Sequence, residues 1–235
     1  MEEQSVAIVT GGSRGIGRAV VEGLADRGWT VWFCSRREES VAAAQEKLRE
    51  RWGNRIRGAA IDVRDPGRVA SFVESVLAAE GRIDLLVNNA GLGRFAPVDE
   101  LSPEEWDESI ATNLSGAFYA LRAVAPGMRD AGSGWIVNVA SLAARHPFAG
   151  GAAYNASKFG LLGMSEAAML DLRPHGVRVT TILPGSVDTD FGAGKGGDWK
   201  LRPEDVARAI LDLLDYPPRA LPSRVELRPT RTGSG

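Results

Sequence analysis

The sequence has a single cysteine, Cys34, and only two histidines, His146 and His175. One thiol cannot close an intrachain disulfide, and neither a metal-type Cys/His cluster nor the stapled scaffold of a small exported domain is indicated. Charge of one sign is equally scarce. The 28 Lys and Arg stand against 30 Asp and Glu, interspersed, for a formal net charge of -2. That balance offers no electrostatic footprint for nucleic acid and no basic stripe for a membrane surface, so the expected partner is a small molecule. No apolar run approaches the ~20 residues that span a bilayer. The acidic start Met1-Glu2-Glu3-Gln4 leads into a strand-like stretch with no signal-peptide pattern, and a cytoplasmic protein is expected. Two catalytic signatures are also missing. No Gly-Lys-Ser/Thr follows the first glycine turn, which excludes the phosphate loop of nucleoside triphosphatases. No Gly-x-Ser-x-Gly elbow surrounds Ser141 and nothing sets a histidine beside it, which excludes a Ser/His/Asp triad.

What is present is a regular alternation of strand and helix patterns over 235 residues, as expected of one large α/β domain. Ser5 to Thr10 reads as a buried strand. It runs into Gly11-Gly12-Ser13-Arg14-Gly15-Ile16-Gly17 and then into a helical pattern carried by Ala19, Val20 and Leu24. Glycines at 11, 15 and 17 let the backbone turn sharply and approach a ligand, while the N-H groups and positive dipole end of the new helix attract a pyrophosphate. Thr30 to Cys34 is the second strand, with Ser35-Arg36-Arg37 at its end. An acid there would hold the two ribose hydroxyls of NAD, whereas guanidinium groups suit the 2'-phosphate of NADP. Arg14 is a further donor. The alternative is that Arg36 and Arg37 pair with Glu38 and Glu39 on a solvated surface.

Helix patterns follow over Glu38 to Trp52 and from Asp65-Pro66 to about Glu80, separated by a strand from Ile56 to Ile61 that ends at Asp62-Val63. Ile83 to Val87 is a near-continuous apolar run, as in a parallel strand covered on both faces, and closes on Asn88-Asn89-Ala90-Gly91. The asparagines either brace adjacent strands or line a cleft. Ser102-Pro103-Glu104-Glu105 is a capping box that opens a long helix carrying Asn113. That amide either bends the helix and bonds a carbonyl or holds water near a reacting centre. Trp135 to Ala140 and Val177 to Leu183 are the fifth and sixth strands, ending at Ser141 and Pro184-Gly185. The glycine-rich stretch from Phe191 to Lys200 reads as a mobile lid. Arg202-Pro203 begins a last helix to about Leu214, Arg224 to Arg228 forms a possible seventh strand, and a polar tail is expected to fray.

Tyr154 and Lys158 lie four residues apart, so on a helix they share a face. A phenol titrates near pH ~10 and needs a neighbouring cation to act as a base at neutral pH, a role open to Lys158. An ordinary amphipathic pair has the same spacing.

In order and spacing, the first glycine turn, Asn88-Asn89-Ala90-Gly91, Asn113, Ser141, Tyr154-Asn155-Ala156-Ser157-Lys158 and Pro184-Gly185 together resemble the single-domain branch of the short-chain dehydrogenase/reductase family. The resemblance spans about residues 5 to 228. It implies a Rossmann-type doubly wound parallel sheet of about seven strands. It also implies hydride transfer between NADP(H), with NAD(H) the lesser candidate, and a carbonyl or secondary alcohol. Tyr154 would be the general acid/base, Lys158 would bind the nicotinamide ribose and lower the tyrosine's pKa, and Ser141 would hydrogen-bond the substrate oxygen. Asn113 would hold a relay water. The cofactor would lie along Gly11, Ser13, Arg14, Gly15, Ile16 and Gly17 of the first turn, and along Ser35, Arg36 and Arg37. Asp62 and Val63 would flank its adenine, and Asn88, Ala90, Gly91, Pro184, Gly185, Val187 and Thr189 would complete the cleft with Tyr154 and Lys158. The resemblance implies a homo-oligomer, tetramer or dimer. A non-catalytic dinucleotide-binding sensor or scaffold and an epimerase or dehydratase of the longer related branch are the competing readings. Substrate walls are expected from Leu92 to Phe95, Ala143 to Phe148 and Ser186 to Phe191, with Arg94 and Arg145 either solvated, the favoured reading, or contacts for an acid.

Overall fold

The computed structural model describes residues 4–189, 191 and 196–231. Seven strands are paired throughout in parallel: β1 (Val6–Thr10), β2 (Thr30–Ser35), β3 (Ile56–Ala60), β4 (Leu85–Asn88), β5 (Gly134–Val139), β6 (Val177–Pro184) and β7 (Arg224–Leu227). Their order is β3-β2-β1-β4-β5-β6-β7. The chain therefore builds outward from β1 to β3, then crosses back to the other side of β1 to lay down β4. That reversal opens a crevice beyond the carboxyl ends of β1 and β4, the place where such sheets bind ligands.

Side chains alternate across a strand, and here the alternation divides the core in two. Val9, Phe33, Val87, Val137 and Ile182 face one layer with α1 (Gly15–Asp26), α2 (Glu38–Trp52) and α7 (Pro203–Leu213). Ile8, Cys34, Leu86, Ile136 and Val179 face the other, with α3 (Pro66–Glu80), α5 (Gly116–Asp130) and α6 (Ala152–Leu172). The sheet is thus doubly wound, as expected, with helices on both faces; β1 and β4 are buried at every position and close to continuously apolar, whereas the edge strands β3 and β7 are only partly covered.

Local signals account for the helix starts. Asp65 accepts from the backbone N-H of Gly67 and Arg68 at 2.9 and 3.0 Å, opening α3 with Pro66 in its first turn. At α4 (Pro103–Ile110), Ser102 Oγ accepts from Glu105 N at 3.2 Å, and the Glu105 carboxylate accepts from Ser102 N at 3.3 Å. The long helix expected beyond it is interrupted. A π-helical turn, Ala111–Ser115, separates α4 from α5, and Asn113 sits in the middle of it. Such widened turns form where a side chain displaces the regular ladder and are frequent at functional sites.

Ser141 stands two residues past β5 rather than at its end, capping the 3-10 turn Leu142–Ala144 by accepting from Ala143 N at 3.1 Å. Residues 192–195 of the expected lid, and 232–235 of the expected tail, lie outside the described residues. Among the described residues no helix is long and apolar enough to cross a membrane, and no cluster of metal-ligating side chains occurs.

Candidate active site

The crevice at the sheet's carboxyl edge is a cavity of about 660 Å³. It runs from the arginines after β2, across the turn after β1, to Ser141, Tyr154 and Lys158.

The floor is the turn between β1 and α1. Gly11 has φ +68, and a Cβ there would come within 2.9 Å of the Ala90 backbone. Gly15, at φ +55, has only the Thr189 side chain within 4 Å of where a Cβ would stand, at 3.4 Å, so its missing side chain keeps the cleft open. Helix α1 begins at Gly15 with no side-chain cap from Arg14 and no acid in its first turn. Among the described residues no N-cap side chain meets its first N-H groups and no first-turn acid offsets its dipole, a fit for an anion. Gly17 does not line the cavity. A Cβ there would lie 2.3 Å from the Gly11 carbonyl oxygen, so this glycine lets the helix pack against its own entry turn.

At the end of the cavity beyond β2, Ser35, Arg36, Arg37, Asp62 and Val63 all line it. Ser35 Oγ accepts from Ser13 N at 3.3 Å, tying the end of β2 to the turn. The arginines do not pair with Glu38 and Glu39. Arg36 donates to Glu108 on α4 at 3.2 Å, and that carboxylate also takes Arg94 at 2.7 Å and lies 3.6 Å from Arg64. The hydrogen bond from Arg94 holds the Glu108 carboxyl below the ordinary carboxylate range, and Arg36 adds to it. Arg64 grips Asp62 at 2.6 Å and keeps that carboxyl low as well.

The two asparagines after β4 divide the roles left open above. Asn88 is buried and points into the protein, donating to Asn138 Oδ1 at 2.9 Å and to the Ala117 carbonyl at 3.1 Å. It braces β4 to β5 and α5, and is not among the cavity-lining residues. Asn89 is at the rim, donating to the carbonyls of Thr10 and Gly11 at 3.0 and 3.2 Å. Thr10 Oγ1 meanwhile accepts from the N-H of Asn89 and Ala90, each at 3.0 Å. Ala90, Gly91, Pro184, Gly185, Val187 and Thr189 line the cavity as expected, as do Ser13, Arg14 and Ile16.

Asn113 is 1% exposed, and its amide is committed to bracing. Nδ2 donates to the Leu92 carbonyl at 2.9 Å and to Ser157 Oγ at 3.0 Å, and Oδ1 accepts from Leu92 N at 2.8 Å. Both amide hydrogens are used, so the side chain has no donor left for a water. Ser157 in turn donates to the Tyr154 carbonyl at 2.8 Å. The π-turn, the loop after β4 and the helix carrying Tyr154 are locked together through this one amide.

On α6, Tyr154 and Lys158 face the same end of the cavity, with Lys158 Nζ 5.8 Å from the tyrosine ring centre and donating to the Val139 carbonyl at 3.0 Å. Burial dominates both groups. It raises the Tyr154 phenol, against a smaller opposing pull from a hydrogen bond with the Ser141 side chain, and it lowers Lys158 to about 8. Within the polypeptide alone the phenol is therefore shifted up, not down, because desolvation penalises the anion more than Ser141 relieves it.

Sequence reasoning gave no role to Asn155, which is 7% exposed. Its Nδ2 donates to the Ala143 carbonyl at 2.9 Å, so the helix bearing Tyr154 holds the segment bearing Ser141. It also passed over Ser40 and Thr112, which line the cavity from α2 and the π-turn; neither carries a sequence signal beyond proximity to a recognised motif.

A parallel sheet with a glycine turn at its switch point, and a tyrosine, lysine and serine gathered at one end of the cleft, define a dinucleotide-fold oxidoreductase. The model of the short chain dehydrogenase family matches residues 5–198, and the chain belongs to that family. It is 42% identical over 187 residues to a D-threitol dehydrogenase of Mycolicibacterium smegmatis, covering 80% of this chain and 72% of that protein. Among solved structures it is similar to an alcohol dehydrogenase from the archaeon Thermococcus sibiricus complexed with 5-hydroxy-NADP. There the TM-score is 0.91 at 30% identity, over 99% of this chain and 100% of that one. A metagenomic short-chain oxidoreductase in complex with NADP has a TM-score of 0.86 at 39% identity, over 97% and 98% of the two chains.

Proposed function

We propose that this oxidoreductase uses NADP(H) and interconverts a carbonyl with a secondary alcohol, with Tyr154 as the proton-transferring group. One observation carries the reading: the Tyr154 phenol, the Ser141 hydroxyl and the Lys158 ammonium meet at one end of a cleft whose other end presents Arg36 and Arg37. The uncapped start of α1 fits a pyrophosphate, Gly15 leaves room for it, and the two guanidinium groups fit a 2'-phosphate. The two NADP-type complexes among similar structures support the same choice. When bound, the dinucleotide would supply or accept the hydride.

The protein's own part is protonic and electrostatic. In reduction, negative charge grows on the substrate oxygen, and Ser141 and Tyr154 are the donors available where it appears. Tyr154 then gives up its proton as the alkoxide becomes an alcohol. A phenol raised by burial is fully protonated at neutral pH, the state an acid needs. In oxidation it must first lose that proton, which the nearby Lys158 ammonium and the charge of an oxidised nicotinamide would both favour. Exposed Phe118 on α5 and Phe159 on α6 are the apolar surface through which we read pairing between copies.

Tyr154→Phe tests the reading. It removes the hydroxyl and keeps the ring packing, so NADPH binding followed by fluorescence should persist while turnover falls by ~10³-fold or more. Full activity in this variant would remove Tyr154 from the chemistry.

A further inference from the structure

The end of the cleft beyond Tyr154 is walled by aromatic rings from separate segments. Phe95, in the loop between β4 and α4, meets the Tyr154 ring edge-on, with centres 5.5 Å apart and planes at 68°. Phe191, after β6, stands 5.6 Å from the same ring. Phe148, just before α6, lies 5.8 Å behind Phe95 and 6.4 Å from Tyr154. These phenylalanines are 40–47% exposed, although large side chains packed on a buried neighbour ordinarily lose most of their contact with water. Phe95 and Phe191 line the cavity itself. Three partly wet rings around a reactive hydroxyl form an apolar receptor, and such rings favour edge or offset contacts with another flat group.

The arginines near this wall among the described residues are already paired. Arg94 is bound to Glu108 at 2.7 Å and Arg145 to Glu226 at 2.5 Å, and neither lines the cavity. Lys200 does line it, but is engaged in an interaction of its own. A carboxylate, sulfonate or phosphate on the substrate would have to break one of these pairs to meet Arg94 or Arg145. A polyol would bring hydroxyls against the Phe95 and Phe191 rings, which cannot hydrogen-bond them as water does.

Given the reading of Tyr154 as proton donor, we infer that the substrate is an uncharged ketone, or the matching secondary alcohol, bearing an aryl or comparably broad apolar group beside the reacting carbon, seated on Phe95 and Phe191. The reaction balances as an aryl ketone plus hydride from the reduced nicotinamide and a proton from Tyr154, giving the aryl carbinol; solvent then returns the proton to Tyr154. The two cavity-lining rings suit a flat apolar group better than a sugar alcohol or an acidic carbonyl compound.

The test is NADPH consumption by the purified full chain with acetophenone, 2-butanone, erythrulose, pyruvate and an acetoacetyl thioester. Acetophenone should exceed 2-butanone in kcat/KM by at least about tenfold, with erythrulose and pyruvate lower still. Phe95→Ala should lower kcat/KM for acetophenone about tenfold while changing 2-butanone less than about threefold, and Phe95→Leu, which keeps bulk and fold, should fall between. Preference for erythrulose, pyruvate or the thioester overturns the inference while leaving an active redox enzyme. So does an equal loss on both ketones in Phe95→Ala. Failure to reduce any carbonyl overturns it together with the functional reading, and full activity of Tyr154→Phe on acetophenone overturns the Tyr154 reading and the proton step that rests on it, while the aryl preference is judged on the substrate series.

Discussion

Arg36, at the end of β2, is bonded to Glu108 on α4 at 3.2 Å, across the mouth of the cofactor cleft. On the proposed NADP(H) reading, a 2'-phosphate would compete with this carboxylate for the same guanidinium, and Glu108 would add a negative charge beside it. Exposed ion pairs are worth little, about 0–1 kcal/mol, so the competition is mild. Glu108→Gln keeps an acceptor for Arg94 and removes the charge. It should tighten NADPH up to about fivefold and leave NADH unchanged, measured by titrating the bound nucleotide's fluorescence; weaker NADPH binding would mean that Glu108 positions Arg36 productively rather than restrains it.

Arg37 has no ion-pair partner among the described residues and lines the same end of the cavity. It is the guanidinium free to meet a phosphate without first leaving a carboxylate. A charge-assisted bond to phosphate contributes about 1.5–3 kcal/mol, so Arg37→Ala should raise the Kd for NADPH by ~10-fold or more and that for NADH by less than about twofold. Equal losses for both nucleotides would undo the 2'-phosphate assignment.

Much of this was legible in the sequence, and the reasons are local. The apolar strands β1 and β4, the Asp65 and Ser102 caps and the glycine turn each carry their signal within a few residues. Ser141 was legible from its place after a strand and Tyr154 with Lys158 from their helical spacing, and the structure brings the three to one end of the cavity. What escaped depends on contacts distant in the chain. Nothing in Arg36 points to Glu108, 72 positions later. Nothing distinguishes Asn88, turned inward to Asn138, from Asn89 at the rim. Asn113 could be suspected from its polar character within an apolar helix, but only the π-turn and its bonds to Leu92 and Ser157 show the amide to be a brace.

Gly17 illustrates the same difference as a test. Its spacing suggested contact with a ligand, yet its absent Cβ makes room for the Gly11 carbonyl. Gly17→Ala forces that backbone apart, and overpacking of this kind costs about 1–3 kcal/mol. A lowered Tm is expected, with NADPH and NADH weakened alike because the pyrophosphate turn itself moves. A selective loss of one nucleotide would contradict this.

Asn155 should act on catalysis through position. Losing its bond to the Ala143 carbonyl frees the segment that carries Ser141, and an unsatisfied buried carbonyl costs about 1–3 kcal/mol. Asn155→Ala is expected to lower kcat about tenfold with NADPH affinity within about twofold, because the tether lies at the Ser141 end of the cleft. Steady-state kinetics beside a nucleotide titration separate the two effects. Stability lost with kcat intact would make Asn155 a packing residue only.

Lys158 gives a pH dependence whose sign follows from burial. Its ammonium titrates near 8 in the folded chain, against 10.5 when exposed, because desolvation disfavours the charged form. Above 10.5 both states are neutral at this site, and below about 8 both are charged, with the folded state bearing the full cost of the buried cation. Between those values the unfolded chain binds the extra proton, so this site's contribution to stability rises with pH. Lys158→Met, close in volume and unable to ionise, removes that term. Its Tm relative to the unaltered chain should therefore be highest at pH 7 and decline steadily toward pH 10, whatever constant offset comes from losing the bond to Val139. A difference in Tm that stays flat across this range would show that the amine is not desolvated, and with it that Tyr154 and Lys158 do not share a dry end of the cleft.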